Sequence, residues 1–118
     1  EVYSIEIVKS LAESSGMKLK EMQYHNVTVK YGDGYKGWDE NAPYDRIIVT
    51  ASAKRVPKRL LEQLNVGGKL IIPIQNLKGI ANSAFRVDEN LILVIKEKDR
   101  IIHEKLLGVM FVPLVEGL

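Results

Sequence analysis

APYDRIIVTASAKRVPKRLLEQLNVGGKLIIPI, residues 42–74, decides how this chain folds. Its first apolar run, RIIVTA at 46–51, reads as a strand apolar enough to be buried on both faces, as parallel strands are. Pro57 stands where a first helical turn would begin. Leu60, Leu61 and Leu64 then make one apolar stripe, and Gly67-Gly68 is expected to end the helix. KLIIPI at 69–74 supplies the next strand, in which Pro73 removes one ladder donor and predicts a bulge or strand end. Strand, helix, strand in this order is a crossover between parallel neighbours.

The same grammar extends outward on the amino-terminal side. VYSIE at 2–6 alternates apolar and polar positions and reads as a strand. Ile7, Val8, Leu11, Ala12, Leu19 and Met22 then recur at helical spacing, with a bend or break expected near Gly16, since Gly costs ~1 kcal/mol against Ala in a helix interior. VTVKY at 27–31 is β-branched and closes on the turn cluster Gly32-Asp33-Gly34. Residues 35–44 read as a loop or a short irregular helix. Beyond Ile74 the grammar changes: 75–86 has no clear period, and NLILVIK at 90–96, DRIIHEK at 99–105 and GVMFVPL at 108–114 read as three strands in succession. Glu97-Lys98-Asp99 is the hairpin turn between the first two. The expectation is one α/β domain over residues 1–118, with a mostly parallel sheet and an antiparallel carboxy-terminal hairpin.

Composition narrows the function classes. The chain has 118 residues, and 17 Lys plus Arg against 15 Asp plus Glu give a net charge of +2, short of the basic excess that phosphate-backbone binding needs. Nucleic acid is therefore not an expected partner. There is no cysteine, so thiol chemistry and Cys-based zinc sites are excluded and a reducing, cytoplasmic setting is expected. No apolar run approaches the ~18 residues that span a bilayer, and no membrane partner is expected.

In an open parallel sheet, ligands collect at the carboxyl ends of the strands. Glu6 ends the first strand, Asp33 sits between two glycines after the second, and Thr50-Ala51-Ser52 closes the third. A carboxylate at a strand end can accept both hydroxyls of a ribose, which makes Glu6 the candidate for that role. Asp33 in an uncrowded turn suits the edge of a planar base. Both also have plainer readings: Glu6 as a carboxylate favoured at a helix start, and Gly-Asp-Gly as a turn and no more. His25 and His103 have no metal-ligand spacing to each other or to acids, and no metal site is expected. Trp38 with Tyr35 reads either as a stacking platform or as aromatics folded back onto the domain. Lys54-Arg55 with Lys58-Arg59 reads either as an anion patch or as a solvated helix start.

Taken together, VYSIE, VTVKYGDGYKG, the 42–74 stretch and the closing GVMFVPLVEG resemble the protein-L-isoaspartate O-methyltransferase family over nearly the whole chain. The resemblance implies a Rossmann-like class I fold that uses S-adenosylmethionine to methylate isoaspartyl residues in protein repair. It implies that Glu6 holds the ribose hydroxyls, with Ile7 beside it, and that Asp33 and Gly34 contact the adenine. Thr50 would border the cofactor, while Ala51, Ser52, Val112 and Pro113 would border the isoaspartyl peptide. Methyl transfer to a carboxylate needs no strong base, because a side chain of unperturbed pKa ~4 is already an anion at neutral pH.

The chain also departs from the family pattern. The family's amino-terminal part, with its glycine-rich cofactor loop and an active-site hydroxyl residue, precedes the strand that VYSIE resembles. The chain is therefore expected to be a carboxy-terminal portion, with its catalytic residues unassigned and its sheet completed by the missing segment or a second copy. Ser52 stands where the family more often has Ala, and LKGIANSAFRVDEN is poorly matched. The alternative reading is a non-catalytic module of the same fold that binds a nucleoside or a partner protein.

Overall fold

In the computed structural model, residues 1–76 and 88–117 are described, and the unpatterned stretch expected over 75–86 lies, from Leu77 on, outside the described residues. The order is β1 (Val2–Glu6), α1 (Lys9–Glu21), β2 (Val27–Tyr31), a short 3-10 helix (Asp39–Asn41), β3 (Tyr44–Ile48), α2 (Lys58–Gln63), β4 (Leu64–Asn76), β5 (Asp88–Lys96) and β6 (Ile101–Val109). Contacts divide the chain into two compact units, one of Glu1–Gly37 with the segment from Val115 on, the other of Trp38–Leu114.

In the first unit β1 and β2 pair in parallel, with Val2 opposite Val27 and Glu6 opposite Tyr31. The connecting α1 runs unbroken through Gly16, where a bend or break was expected. Its inward stripe is buried Ala12 with half-buried Ser15, Gly16 and Leu19, and a Cβ added at Gly16 would stand 3.8 Å from the Val29 Cβ. That is ordinary van der Waals contact, so the helix continues through Gly16 because the packing of this face on β2 outweighs the poor propensity of Gly. Leu11, Met17 and Met22 face solvent instead. Ser14 and Ser15 lie within the unbroken helix, and each hydroxyl donates to a carbonyl three residues back. The helix closes at Met22 and Gln23, whose φ is +63°: Gln23 N–H donates to the Lys20 carbonyl and Tyr24 N–H to the Leu19 carbonyl. That is the paired bonding of a Schellman turn, with Gln in the place Gly usually takes.

The second unit is a mixed sheet in the order β3-β4-β5-β6. β3 and β4 are parallel, and β4-β5 and β5-β6 are antiparallel. Parallel pairing thus comes first and antiparallel pairing finishes the chain, in the expected order. The antiparallel share is larger than the sequence suggested, because β5 and β6 are nine residues each. Leu70, Ile72 and Val94 are fully buried, with Leu70 directly opposite Val94 in the ladder. Each such side chain contributes ~1.5–3 kcal/mol of transfer free energy.

Four local expectations for this unit are corrected. β3 is an edge strand and is not buried on both faces; it ends at Ile48, which is 72% exposed. Gly67-Gly68 does not end α2. The helix stops at Gln63, and Gly67 (φ +81°) and Gly68 lie in a bulge of β4 between the pairs Tyr44–Leu64 and Arg46–Lys69. A Cβ on Gly68 would come 2.7 Å from the Asn65 carbonyl oxygen. The end of α2 is capped from afar, since Lys96 Nζ donates to the carbonyls of Leu61 at 2.7 Å and Leu64 at 2.8 Å. Pro73 neither ends nor bulges β4: it pairs opposite Leu91, and its carbonyl accepts from Ala53 N–H at 2.9 Å. Finally, 108–114 is not a separate strand. β6 runs to Val109, and only Pro113 makes a further bridge, to Ser52. The 97–99 turn stands as read, with Glu97 N–H donating to the Arg100 carbonyl.

Charged groups near α2 behave as a solvated helix start. Arg59 donates to both oxygens of Asp39 and to Glu62, while Lys58 lies 3.6 Å from Glu62. The Arg59 guanidinium is held further above its ordinary value, chiefly by the Glu62 hydrogen bond and then by the charge of Asp39. Gln63, which is buried, joins this network by donating to Asp39 and accepting from Trp38 N–H. The Trp38 carbonyl in turn accepts from the Tyr44 hydroxyl at 2.6 Å. No helix among the described residues is long and apolar enough to cross a membrane.

Candidate functional site

In the first unit the parallel pairing brings the carboxyl ends of β1 and β2 side by side. Glu6 lies opposite Tyr31, and Gly32 N–H extends the ladder by donating to the Glu6 carbonyl at 3.0 Å. The candidate acid Glu6 and the Gly32-Asp33-Gly34 turn are thereby neighbours. Glu6 Oε1 accepts from Val8 N–H at 2.8 Å, which satisfies one of the orphan donors at the start of α1. Half-buried Ile7 stands between them in sequence.

Asp33 is 7% exposed, and both its oxygens are engaged: Oδ1 accepts from Tyr35 N–H at 2.9 Å and Oδ2 from Gly117 N–H at 3.3 Å. The first bond is the local Asx turn that Asp makes wherever the chain reverses. Half-buried Gly34 follows, and Gly37 N–H donates to its carbonyl. Beside the turn lies an open hollow of about 270 Å³ lined by Ile5, Lys30, Gly32, Asp33, Lys36 and Gly37. Ile5 gives it an apolar wall, and a Cβ on Gly32 would press to 3.4 Å from the Ile5 side chain.

The second unit gathers the other set. After β3 the chain passes through exposed Thr50 and half-buried Ala51 to Ser52, which is 1% exposed. Ser52 N–H donates to the Val112 carbonyl at 2.7 Å, and Leu114 N–H donates to the Ser52 carbonyl at 2.8 Å. Ser52, Val112 and Pro113 are thus brought together, as a parallel bridge, and the outward face of that bridge is apolar, with Val112 71% exposed. The Ser52 hydroxyl itself is buried and has no hydrogen-bond partner among the described residues. Ala53 locks the same loop onto β4, donating to the Pro73 carbonyl and accepting from Gln75 N–H.

One carboxylate here was not legible as a site residue. Glu89, 8% exposed on β5, accepts the Phe111 N–H on Oε2 at 2.7 Å. The sequence pattern starts this strand at Asn90, and an acid just before it carries no local signal of a partner 22 residues away. His25 and His103 are exposed, in agreement with a solvated reading.

The protein-L-isoaspartate(D-aspartate) O-methyltransferase family model matches residues 1–118. Protein-L-isoaspartate O-methyltransferases of Parvibaculum lavamentivorans and Ignicoccus hospitalis are 45% and 48% identical over 116 and 115 residues, each match covering 98% of this chain. The chain spans about half the length of these relatives, 50% and 51%. A solved protein-L-isoaspartate O-methyltransferase superposes with a TM-score of 0.84 at 30% identity, covering 98% of this chain and 34% of that one. A Plasmodium falciparum protein of the same description, solved in complex with S-adenosyl-L-homocysteine, gives 0.79 at 28% identity, covering 98% and 53%. The fold is accordingly the Rossmann-like α/β fold of these methyltransferases. By the match along its whole length, the chain belongs to the protein-L-isoaspartate(D-aspartate) O-methyltransferase family.

Proposed function

We propose that this protein is a protein-L-isoaspartate O-methyltransferase, which transfers a methyl group from S-adenosylmethionine to the carboxylate of isoaspartyl residues and so serves protein repair in the cytoplasm. The observation that carries the reading is the juxtaposition of Glu6 with the Gly32-Asp33-Gly34 turn at two adjacent strand ends. These residues fit the adenosine half of the cofactor. Glu6 spends one oxygen on Val8 and keeps the other for ribose hydroxyls. The Asp33 oxygens each hold one backbone bond and retain a second lone pair for an adenine amino group. Ile7, Gly34 and Thr50 would complete the cofactor contacts.

When bound, S-adenosylmethionine supplies an electrophilic methyl on a sulfonium: the acceptor oxygen bonds to carbon as the carbon–sulfur bond breaks, and no proton need move. The chain's own task is alignment and exclusion of water, which strengthens attraction between anion and cation. Ala51, Ser52, Val112 and Pro113 would border the acceptor peptide, and the exposed apolar Val112 supports a docking surface there. The edge position of β3 supports completion of its sheet by a further strand, from another segment or a second copy.

Calorimetric titration with S-adenosylhomocysteine tests the reading. Binding should be micromolar, and Glu6→Ala should weaken it by the ~1.5–3 kcal/mol of a charge-assisted hydrogen bond. Absence of binding to the parent protein would sink the proposal. The burial of Asp33 and the engagement of both its oxygens favour a second reading, a scaffold whose Asp33 is structural. Binding without methyl ester formation on an isoaspartyl peptide would be its signature.

A further inference from the structure

After Val109, the last residue of β6, the chain leaves the ladder and reaches Ser52, which is joined to β4 through Ala53. In the order β3-β4-β5-β6, that route crosses β5 and β4 at one end of the sheet. The crossing exposes apolar side chains, Met110 and Val112 above all, so that only Phe111 and Leu114 give it partial burial to hold it down. Its far end is fixed by the two Ser52 bonds. Its near end is held from β5, where the Glu89 carboxylate takes the Phe111 N–H at 2.7 Å. Glu89 itself cannot drift: it is buried and sits in the ladder opposite both Gln75 of β4 and Val109 of β6. A buried carboxylate that accepts a backbone N–H makes a short, charge-assisted bond, about twice as strong as a neutral one.

We propose that Glu89 is a positioning residue for acceptor binding. It clamps the Phe111–Leu114 crossing at its first residue and so fixes the height and register at which Val112 and Pro113 meet the isoaspartyl peptide. This rests on the functional reading above, which gives Val112 and Pro113 their role; the clamp itself rests on Glu89 and Phe111 alone. Pro113 has no N–H and cannot anchor the segment from its own backbone donor, so the two ends of the clamp are Ser52 and Glu89.

Amide hydrogen exchange and steady-state kinetics test the two parts separately. In the parent protein the Phe111 amide should exchange at least tenfold more slowly than that of its exposed neighbour Met110. Equal rates would overturn the clamp without any variant having to fold. Glu89→Ala should release the Phe111 amide and raise KM for an isoaspartyl peptide about tenfold, with kcat and S-adenosylhomocysteine affinity unchanged, the pattern of lost uniform binding. Glu89→Gln retains an acceptor oxygen and should restore KM to within about threefold of the parent. An unchanged peptide KM in Glu89→Ala, or a loss of kcat and cofactor affinity that Glu89→Gln does not rescue, would overturn the positioning role. Should the parent protein transfer no methyl group, the functional reading fails and the positioning role with it, while a slow Phe111 amide would still establish the clamp.

Discussion

The two strand-end regions are built by different means. In the first unit Glu6 and Asp33 each bind a backbone N–H two residues further on, at Val8 and Tyr35. In the second, Glu89 binds 22 residues away and Lys96 caps a helix 35 residues away. Side chains of the first kind are placed by turns that form with their own neighbours. Those of the second kind are placed only once the sheet has assembled. Single substitutions should therefore have larger effects in the second region, because each long-range bond ties two elements whose ordering entropy has to be overcome together.

Lys96→Met gives the largest effect expected of this comparison. It keeps the length of the side chain but leaves the carbonyls of Leu61 and Leu64, the end of α2, without their donor. The cost should be ~1.5–3 kcal/mol, the range for hydrogen bonds to charged groups. Urea unfolding should show a lower midpoint at unchanged slope, which separates lost stability from a changed unfolded state. A shift below half a kcal/mol would mean that α2 is held by Leu60 and Leu64 alone and that the cap is incidental.

Asp33 mixes both kinds of bond and so divides the comparison within one residue. Its Oδ1 serves the local turn, and its Oδ2 reaches Gly117, 84 residues on. Asp33→Ala removes both and should cost ~1–2 kcal/mol; Asp33→Asn keeps one acceptor and should cost about half as much. If Asn proves as costly as Ala, the distant bond dominates, and the Asx turn is a consequence of the fold with no independent weight.

The same division decides what the sequence could disclose. The strands 2–6 and 27–31, the turn at 32–34, the crossover helix after Pro57 and the 97–99 hairpin are written in local periodicity and turn chemistry, and all are present. Glu6 and Asp33 were legible because a carboxylate at a strand end is a local signal. Gly67-Gly68 misled for the opposite reason: its meaning is tertiary, a bulge in β4, where the local reading gives a helix end. At Gly16 the packing of α1 on β2 outweighs the helix break that local propensity predicts. Glu89 and Lys96 carry no local signal, since their partners lie on other elements. Ser52 was legible as a strand-end residue, and the structure adds its bridge to Pro113 and the burial of its hydroxyl, which has no partner among the described residues.

The smallest effect sharpens the local side. Gln23 ends α1 with φ +63°, a conformation in which the Cβ of any L residue crowds the following carbonyl at ~1–2 kcal/mol. Gly lacks that crowding, but gains freedom in the unfolded chain that offsets ~0.4–1 kcal/mol. The balance is a stabilisation of about 0.5 kcal/mol for Gln23→Gly. Met22 next to it has φ −78°, where Gly relieves nothing and only the unfolded-state term remains. Met22→Gly should therefore destabilise by ~0.5–1 kcal/mol. Opposite signs at adjacent exposed positions isolate the backbone conformation as the cause, because neither side chain is buried. Thermal unfolding of both variants beside the parent would read the pair, and two losses of equal size would show that the paired bonds to Leu19 and Lys20 survive at any residue, so that Gln23 carries no strain to relieve.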